Sequence, residues 1–205
     1  MIAIIDYKAG NLTSVVKTLR YLGTPDHDLV ITQSPDVVRQ ADQIILPGVG
    51  HFQSTQLLHD LALTAATRDA ISRGTPFLGI CVGLQWLYDG STEAAATDGL
   101  CHFGGSCERF PATHNAVPLK SPHVGWNSLE SIRPCSQLLR GIAPGSFVYY
   151  THSFRAPVSP DTAATTTYGT PFTAAVERDN VFGVQFHPEK SATTGLAILR
   201  NFLAL

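Results

Sequence analysis

Long hydrophobic runs are missing from this chain. No apolar stretch approaches the ~20 residues that a helix needs to cross a bilayer. Met1-Ile-Ala-Ile-Ile-Asp6 is too short for the apolar core of a secretory signal and has no basic flank before it. A surplus of one charge is missing too: Lys and Arg number 14 against 16 Asp and Glu, and the net charge is −2. The basic residues are scattered, which excludes the footprint of a nucleic-acid binder. Cysteine is sparse. Cys81, Cys101, Cys107 and Cys135 follow neither a zinc-ribbon spacing nor a disulfide framework, which points to reduced thiols in the cytosol. Cys101, His102 and Cys107 lack a fourth metal ligand at suitable spacing and read as structural or incidental. A glycine-rich loop of the phosphate-cradling kind is also absent.

What is present suffices for one substantial domain over residues 1–205, with 44% hydrophobic and 15% charged content. No repeat or linker divides it. Ile2–Asp6 reads as a buried strand. Asn11 caps a helix whose apolar positions are Leu12, Val15, Val16, Leu19 and Leu22, with Gly23 as its stop. Asp28–Thr32 and Gln43–Leu46 are the next strands, and the second ends in Pro47-Gly-Val-Gly50. A helical stretch from Phe52 to Arg73, broken near Asp60, leads to a strand at Phe77–Ile80. Ser91–Thr97 reads as an exposed connection. Shorter strands follow at Trp126–Ile132, Ser146–His152, Thr162–Tyr168, Thr173–Glu177 and Val181–Phe186, then a helix over Thr193–Leu203. This order predicts an α/β fold of three layers. Its central sheet is mostly parallel, helices cover both faces, and a smaller antiparallel β region lies in the second half.

The chemistry concentrates in two segments. Gly79-Ile-Cys-Val-Gly83 sets Cys81 between a strand and a helix, as in a nucleophile elbow. The flanking glycines permit a sharp turn, and the helix N-terminus favours thiolate. An isolated cysteine in an apolar run is usually a small core residue, but this glycine context points to a nucleophile. In the second segment, His187 and Glu189 lie two residues apart and project to one side of an extended chain. The imidazole can act as base and the carboxylate can orient it. The Val82 N–H, and those of Gly48, Val49 and Gly50 beside the elbow, are candidate oxyanion donors. Gln85, one turn after Cys81, can face the same pocket. His152 and Trp126 would on pattern alone be core residues.

These motifs resemble class I, triad-type glutamine amidotransferases, and among them the glutaminase subunit of imidazole glycerol phosphate synthase. Ile4-Ile-Asp-Tyr-Lys-Ala-Gly-Asn-Leu12, Pro47-Gly-Val-Gly50, Gly79–Gln85, Pro122-His-Val-Gly-Trp-Asn127, Tyr149-Tyr-Thr-His-Ser153 and Gln185-Phe-His-Pro-Glu-Lys-Ser191 carry the resemblance over nearly the whole chain. It implies that Cys81 attacks the glutamine side-chain amide, that His187 moves protons and that Glu189 holds it. It further implies that Gly48, Val49, Gly50, Val82, Gln85, His152 and Ser153 line the oxyanion and substrate sites. Ammonia would pass to a partner (β/α)8-barrel cyclase that converts the ribulosyl-phosphate intermediate PRFAR to imidazole glycerol phosphate and AICAR, in the cytoplasm. Trp126, Asn127 and Lys190 would be contacts around the ammonia exit. No metal or organic cofactor is implied. Lys8, His51, Val82 and Phe154 depart from the usual family residues.

Other readings share parts of this pattern. An anthranilate synthase component would share the triad but usually reads Asp-Asn-Tyr-Asp-Ser-Phe after the first strand. A pyridoxal-phosphate-synthase glutaminase would carry Gly-Gly-Glu-Ser near residues 47–54, which is absent here. A stand-alone cysteine hydrolase of γ-glutamyl compounds would be active without a partner. A non-catalytic interaction subunit would not need an intact triad.

Overall fold

The computed structural model describes all 205 residues. β1 (Ile2–Ile5) is wholly buried, as its β-branched run requires. α1 (Leu12–Tyr21) starts at Asn11, whose side chain accepts the Ser14 N–H, and it buries Val15, Val16 and Leu19. β2 (Leu29–Thr32) follows. α2 (Pro35–Gln40) was not expected from the apolar pattern, although Ser34-Pro35-Asp36 carries the start signal of a proline in the first turn. Then come β3 (Gln43–Gly48), a 3-10 turn at Phe52–Thr55, α3 (Gln56–Asp60) and α4 (Leu63–Ser72). The helical break falls at Leu61 and Ala62, next to the expected Asp60. β4 (Phe77–Cys81) runs directly into α5 (Val82–Trp86).

The second half supplies β5 (Gly90–Ser91), β6 (Ser106–Arg109), β7 (Thr113–His114), β8 (Val117–Pro118), β9 (His123–Ser128), β10 (Ser131–Ile132), β11 (Phe147–His152), β12 (Phe154–Arg155), β13 (Thr162–Tyr168), β14 (Thr170–Arg178), β15 (Val181–Val184) and α6 (Ala192–Leu203). The main sheet has eight strands in the order β10-β13-β14-β15-β4-β3-β1-β2. From β2 to β15 neighbouring strands are parallel, and β14, β13 and β10 extend it antiparallel. The antiparallel region is therefore partly continuous with the parallel one.

Two expectations need correction. Trp126–Ile132 is not one strand. Leu129 is fully buried and turns the chain, so β9 pairs with β11 in a small separate sheet while β10 joins β13 in the main one. Ser91–Thr97 is not simply exposed: Ser91 and Thr97 are buried, and the Glu93 carboxylate accepts the Phe52 N–H at 2.8 Å. The core lies along the central strands. Ile44, Ile45, Leu46, Phe77 and Leu78 are fully buried, and each contributes about 1.5–3 kcal/mol through burial. No helix is long and apolar enough to cross a membrane.

Candidate active site

The carboxyl ends of β3, β4 and β15 meet at one place. Gly48 pairs with Cys81 across β3–β4, and Val184 pairs with Ile80 across β15–β4. Parallel sheets present their ligand crevices at this edge. Cys81 occupies it with φ 56° and ψ −106°, a conformation that costs a non-glycine residue on the order of 1–3 kcal/mol and persists only when the surroundings enforce it. Here the structure corrects the expected role of the glycines. Neither Gly79 nor Gly83 has positive φ; the turn strain sits on Cys81 itself. The glycines allow close packing. A Cβ on Gly79 would lie 2.6 Å from the Gly83 carbonyl carbon, and one on Gly83 would run into the Leu46 carbonyl. Their absence of side chains lets α5 sit against β3 and β4, which fixes the elbow.

His187 follows β15 on the segment Gln185-Phe186-His187. Its N–H donates to the Tyr149 carbonyl at 2.9 Å, and its carbonyl accepts the Ser191 hydroxyl at 2.6 Å. Its Nδ1 lies 3.0 Å from Glu189 Oε1, and both side chains are buried. Its Nε2 is buried with no hydrogen-bond partner. Burial opposes a charged imidazole, but the Cys81 sulfur and the Glu189 carboxylate outweigh it and push the His187 pKa up to about 10. The three side chains therefore share one electrostatic unit.

The adjoining pocket, about 230 Å³, is lined by Val49, Gly50, Cys81, Val82, Gln85, Glu93, Pro122, Thr151, His152, Ser153 and Phe154. It is sized for a small amino acid. Val49, Gly50, Val82, Gln85, His152 and Ser153, the expected oxyanion and substrate residues, all lie in this lining. Gly48 lies just beyond the lining, and a Cβ there would collide with the Tyr7 hydroxyl and sit 2.8 Å from Val82 Cβ. The Val49 N–H points away from the pocket, donating to the Ala9 carbonyl at 3.4 Å. His152 does not offer a nitrogen to a ligand. Its Nδ1 is 2.8 Å from the Phe154 carbonyl and its Nε2 is 3.0 Å from His123 Nδ1, and burial pushes its pKa down to about 3. Its contribution to the pocket is shape, not hydrogen bonding to a substrate.

Two polar side chains at the site, Glu93 in the pocket lining and Gln185 behind it, escaped the sequence reading. Glu93 places a carboxylate in the lining from the segment expected to be an idle connection; the only signal was a charge in an Ala/Thr-rich stretch. Gln185 is fully buried, and its Nε2 lies 3.7 Å from Cys81 Sγ.

Among the expected partner contacts, Trp126 is 52% exposed rather than core, and packs edge-on against Tyr149 with ring centroids 5.9 Å apart. Val124 and Phe147 are exposed on the same small sheet. Lys190 is exposed next to Glu189. Asn127 is a correction. Alternation along β9 turns it inward, where its amide nitrogen reaches the Thr167 carbonyl at 3.0 Å and His123 Nε2 at 3.3 Å. Of the departures from the family pattern, Lys8 takes φ 62°, which explains the usual glycine there, and His51 Nδ1 accepts the Gln53 N–H at 3.1 Å.

A strained cysteine at a strand–helix elbow, a buried His187–Glu189 pair and an adjoining pocket thus meet at one edge of the sheet. The family described as glutamine amidotransferase class-I matches residues 3–205. The imidazole glycerol phosphate synthase subunit HisH of Caulobacter vibrioides is 44% identical over 98% of this chain and 97% of its own length. The HisH subunit of Geobacillus kaustophilus is also 44% identical, over 100% of this chain and 97% of its own. A solved glutamine amidotransferase superposes with a TM-score of 0.74 at 17% identity, covering 100% of this chain and 98% of the other, which bears on the fold alone. The chain belongs to the class I glutamine amidotransferases and, within them, to the family of the imidazole glycerol phosphate synthase subunit HisH.

Proposed function

We propose that Cys81, His187 and Glu189 carry out the glutaminase step of imidazole glycerol phosphate synthase. As a HisH-family amidotransferase the chain is the glutaminase subunit of that enzyme, with a cyclase subunit as its partner. The carrying observation is the elbow cysteine beside a buried imidazole whose Nδ1 is fixed by Glu189 and whose Nε2 is free. Cys81 Sγ attacks the amide carbon of glutamine and the C–N bond breaks. His187 delivers the proton that lets ammonia leave. Water then attacks the thioester carbon, His187 takes its proton, the C–S bond breaks, and glutamate departs. The Glu93 carboxylate in the lining suits the substrate's α-ammonium. Ammonia passes to the cyclase, which converts PRFAR to imidazole glycerol phosphate and AICAR. A cytoplasmic location is part of the proposal, and four free cysteines are in keeping with it. The test is glutamine hydrolysis with and without the cyclase and PRFAR. Strong stimulation supports the reading, and full activity of the isolated chain would favour a stand-alone hydrolase.

Docking falls on the β9–β11 face. Val124, Trp126 and Phe147 are exposed there, and Thr151 on the same sheet reaches the pocket. Tryptophans in such positions act as binding hot spots worth about 2 kcal/mol or more. Trp126→Ala should therefore weaken cyclase affinity about thirtyfold or more and leave Cys81 alkylation by a glutamine-like chloroketone unchanged. An unaltered Kd by calorimetric titration would move the interface elsewhere.

Regulation is assigned to Pro47-Gly-Val-Gly50. The Val49 N–H is turned to Ala9, so rotating that peptide would add an oxyanion donor, worth about 10²–10³-fold in rate. Gly50 has φ +93°, and a methyl added there would meet nothing within 4 Å, so Gly50→Ala acts on backbone freedom alone. Gly48→Pro is the poorer probe because Gly48 has no room. Gly50→Ala should cut stimulated turnover much more than basal turnover. An unchanged ratio of the two rates would remove the switch and leave the triad standing.

A further inference from the structure

We infer that Gln185 is a positioning residue for the nucleophile: its side-chain amide donates to Cys81 Sγ and is itself held by a buried hydrogen-bonded chain that starts on β9. The chain can be followed atom by atom. Gln185 Nε2 lies 3.7 Å from Cys81 Sγ. Gln185 Oε1 accepts from Gln85 Nε2 at 3.2 Å, and the same Gln85 nitrogen donates to the Phe154 carbonyl at 3.0 Å. That carbonyl also faces His152 Nδ1 at 2.8 Å. His152 Nε2 is 3.0 Å from His123 Nδ1, and His123 Nε2 is 3.3 Å from Asn127 Nδ2.

The chemistry allows only one direction of donation. A carbonyl oxygen accepts, so His152 carries its proton on Nδ1 and accepts at Nε2. His123 must then donate from Nδ1 and accept from Asn127 at Nε2. Gln85 spends its donors on Phe154 and Gln185, which leaves the Gln185 amide oriented with its N–H groups toward sulfur. Burial holds both histidines neutral, with pKa values of about 4 for His123 and about 3 for His152, as this single arrangement requires. Gln185 is wholly inaccessible. A buried amide with no role is costly, and here it supplies a donor to the atom whose electron-rich form reacts. The sulfur's hydrogen-bond contacts are the Gln185 amide and, at 4.0 Å, the Thr151 carbonyl, which only accepts, so Gln185 is the one donor to it; proton transfer falls to His187, and Gln185 moves none.

The inference rests on Cys81 being the nucleophile, and the test separates the two ideas. Alkylation of each cysteine by iodoacetamide at neutral pH is followed by peptide mapping, with exposed Cys101 and Cys135 as internal controls. Glutamine turnover is measured in the complex with the cyclase. Losing a hydrogen bond to a charged atom slows the step by about ten- to a hundredfold. Gln185→Leu should slow Cys81 alkylation and lower kcat by that factor, with KM for glutamine within about threefold and the control cysteines unchanged. Gln185→Glu keeps the shape but puts an acceptor beside sulfur, and should be at least as slow. His123→Phe keeps the stacking on Tyr168 and Tyr150 while removing the relay nitrogens. It should share the same loss and add nothing to Gln185→Leu. Wild-type alkylation of Cys81 in both Gln185 variants overturns the inference, and additive losses overturn the relay. Glutamine turnover that persists in the wild-type complex after Cys81 is fully alkylated would overturn the triad instead.

Discussion

Cys81→Ala should bring glutamine hydrolysis to background, a loss on the order of 10⁶-fold in kcat, as expected when a covalent nucleophile is removed from a triad. The fold should survive. Alanine keeps the Cβ, and the strained φ of 56° is imposed by β4, α5 and the glycine contacts rather than by the thiol. The sheet proposed to dock the cyclase is formed by β9 and β11, not by β4, so partner affinity should also be retained. The informative measurement is mass spectrometry of the enzyme trapped with an electrophilic glutamine analogue. The adduct should map to Cys81 alone. Cys107 is no rival: burial pushes its thiol pKa far up, and its sulfur lies 3.9 Å from the Gln85 carbonyl. Cys101 and Cys135 are more accessible but line no part of the pocket. A glutamyl adduct on any of these three, with Cys81 unmodified, would sink the assignment.

The sequence was most informative where one local pattern serves one purpose. The buried run Ile2–Ile5, the capped helix after Asn11 and the strand into Cys81 each declare themselves through periodicity and end signals. Long-range arrangements left weaker marks. Leu129 and Glu130 look like any strand interior, and only pairing with partners decides that β9 and β10 leave for different sheets. Asn127 was expected among the contacts around the ammonia exit, and only the β9 register reveals that it turns toward His123. Trp126, which reads as core on pattern alone, is turned outward by the same register. The glycines around Cys81 were visible, but their purpose was not, since a missing side chain can serve a turn or a close contact, and sequence does not distinguish these. Gln185 had no local signal of function. Its meaning arises because the end of β15 is brought beside the end of β4.

His187→Asn should remove nearly all turnover, on the order of 10⁶-fold, whereas Glu189→Gln should cost less, on the order of 10⁴-fold. Asparagine cannot take a proton from water or give one to departing ammonia. Glutamine at 189 can still touch Nδ1 at the observed 3.0 Å separation but supplies no charge. No other histidine is placed to substitute. His152 has both nitrogens engaged, and burial keeps it neutral. The pH dependence separates orientation from charge. Burial acts against the imidazolium of His187, while the Cys81 sulfur and Glu189 raise its pKa to about 10. A raised folded-state pKa means that the charged form is held below that point and lost as pH rises through it. Proton delivery to ammonia needs the charged form, so wild-type kcat/KM should hold through neutral pH and fall on the alkaline side. Removing the Glu189 carboxylate takes away one of the two groups that oppose burial, and the alkaline limb of Glu189→Gln should move to lower pH. A Glu189→Gln profile that is lower but unshifted would reduce Glu189 to an orienting contact without electrostatic weight, and wild-type turnover in His187→Asn would show that the proton travels by another route.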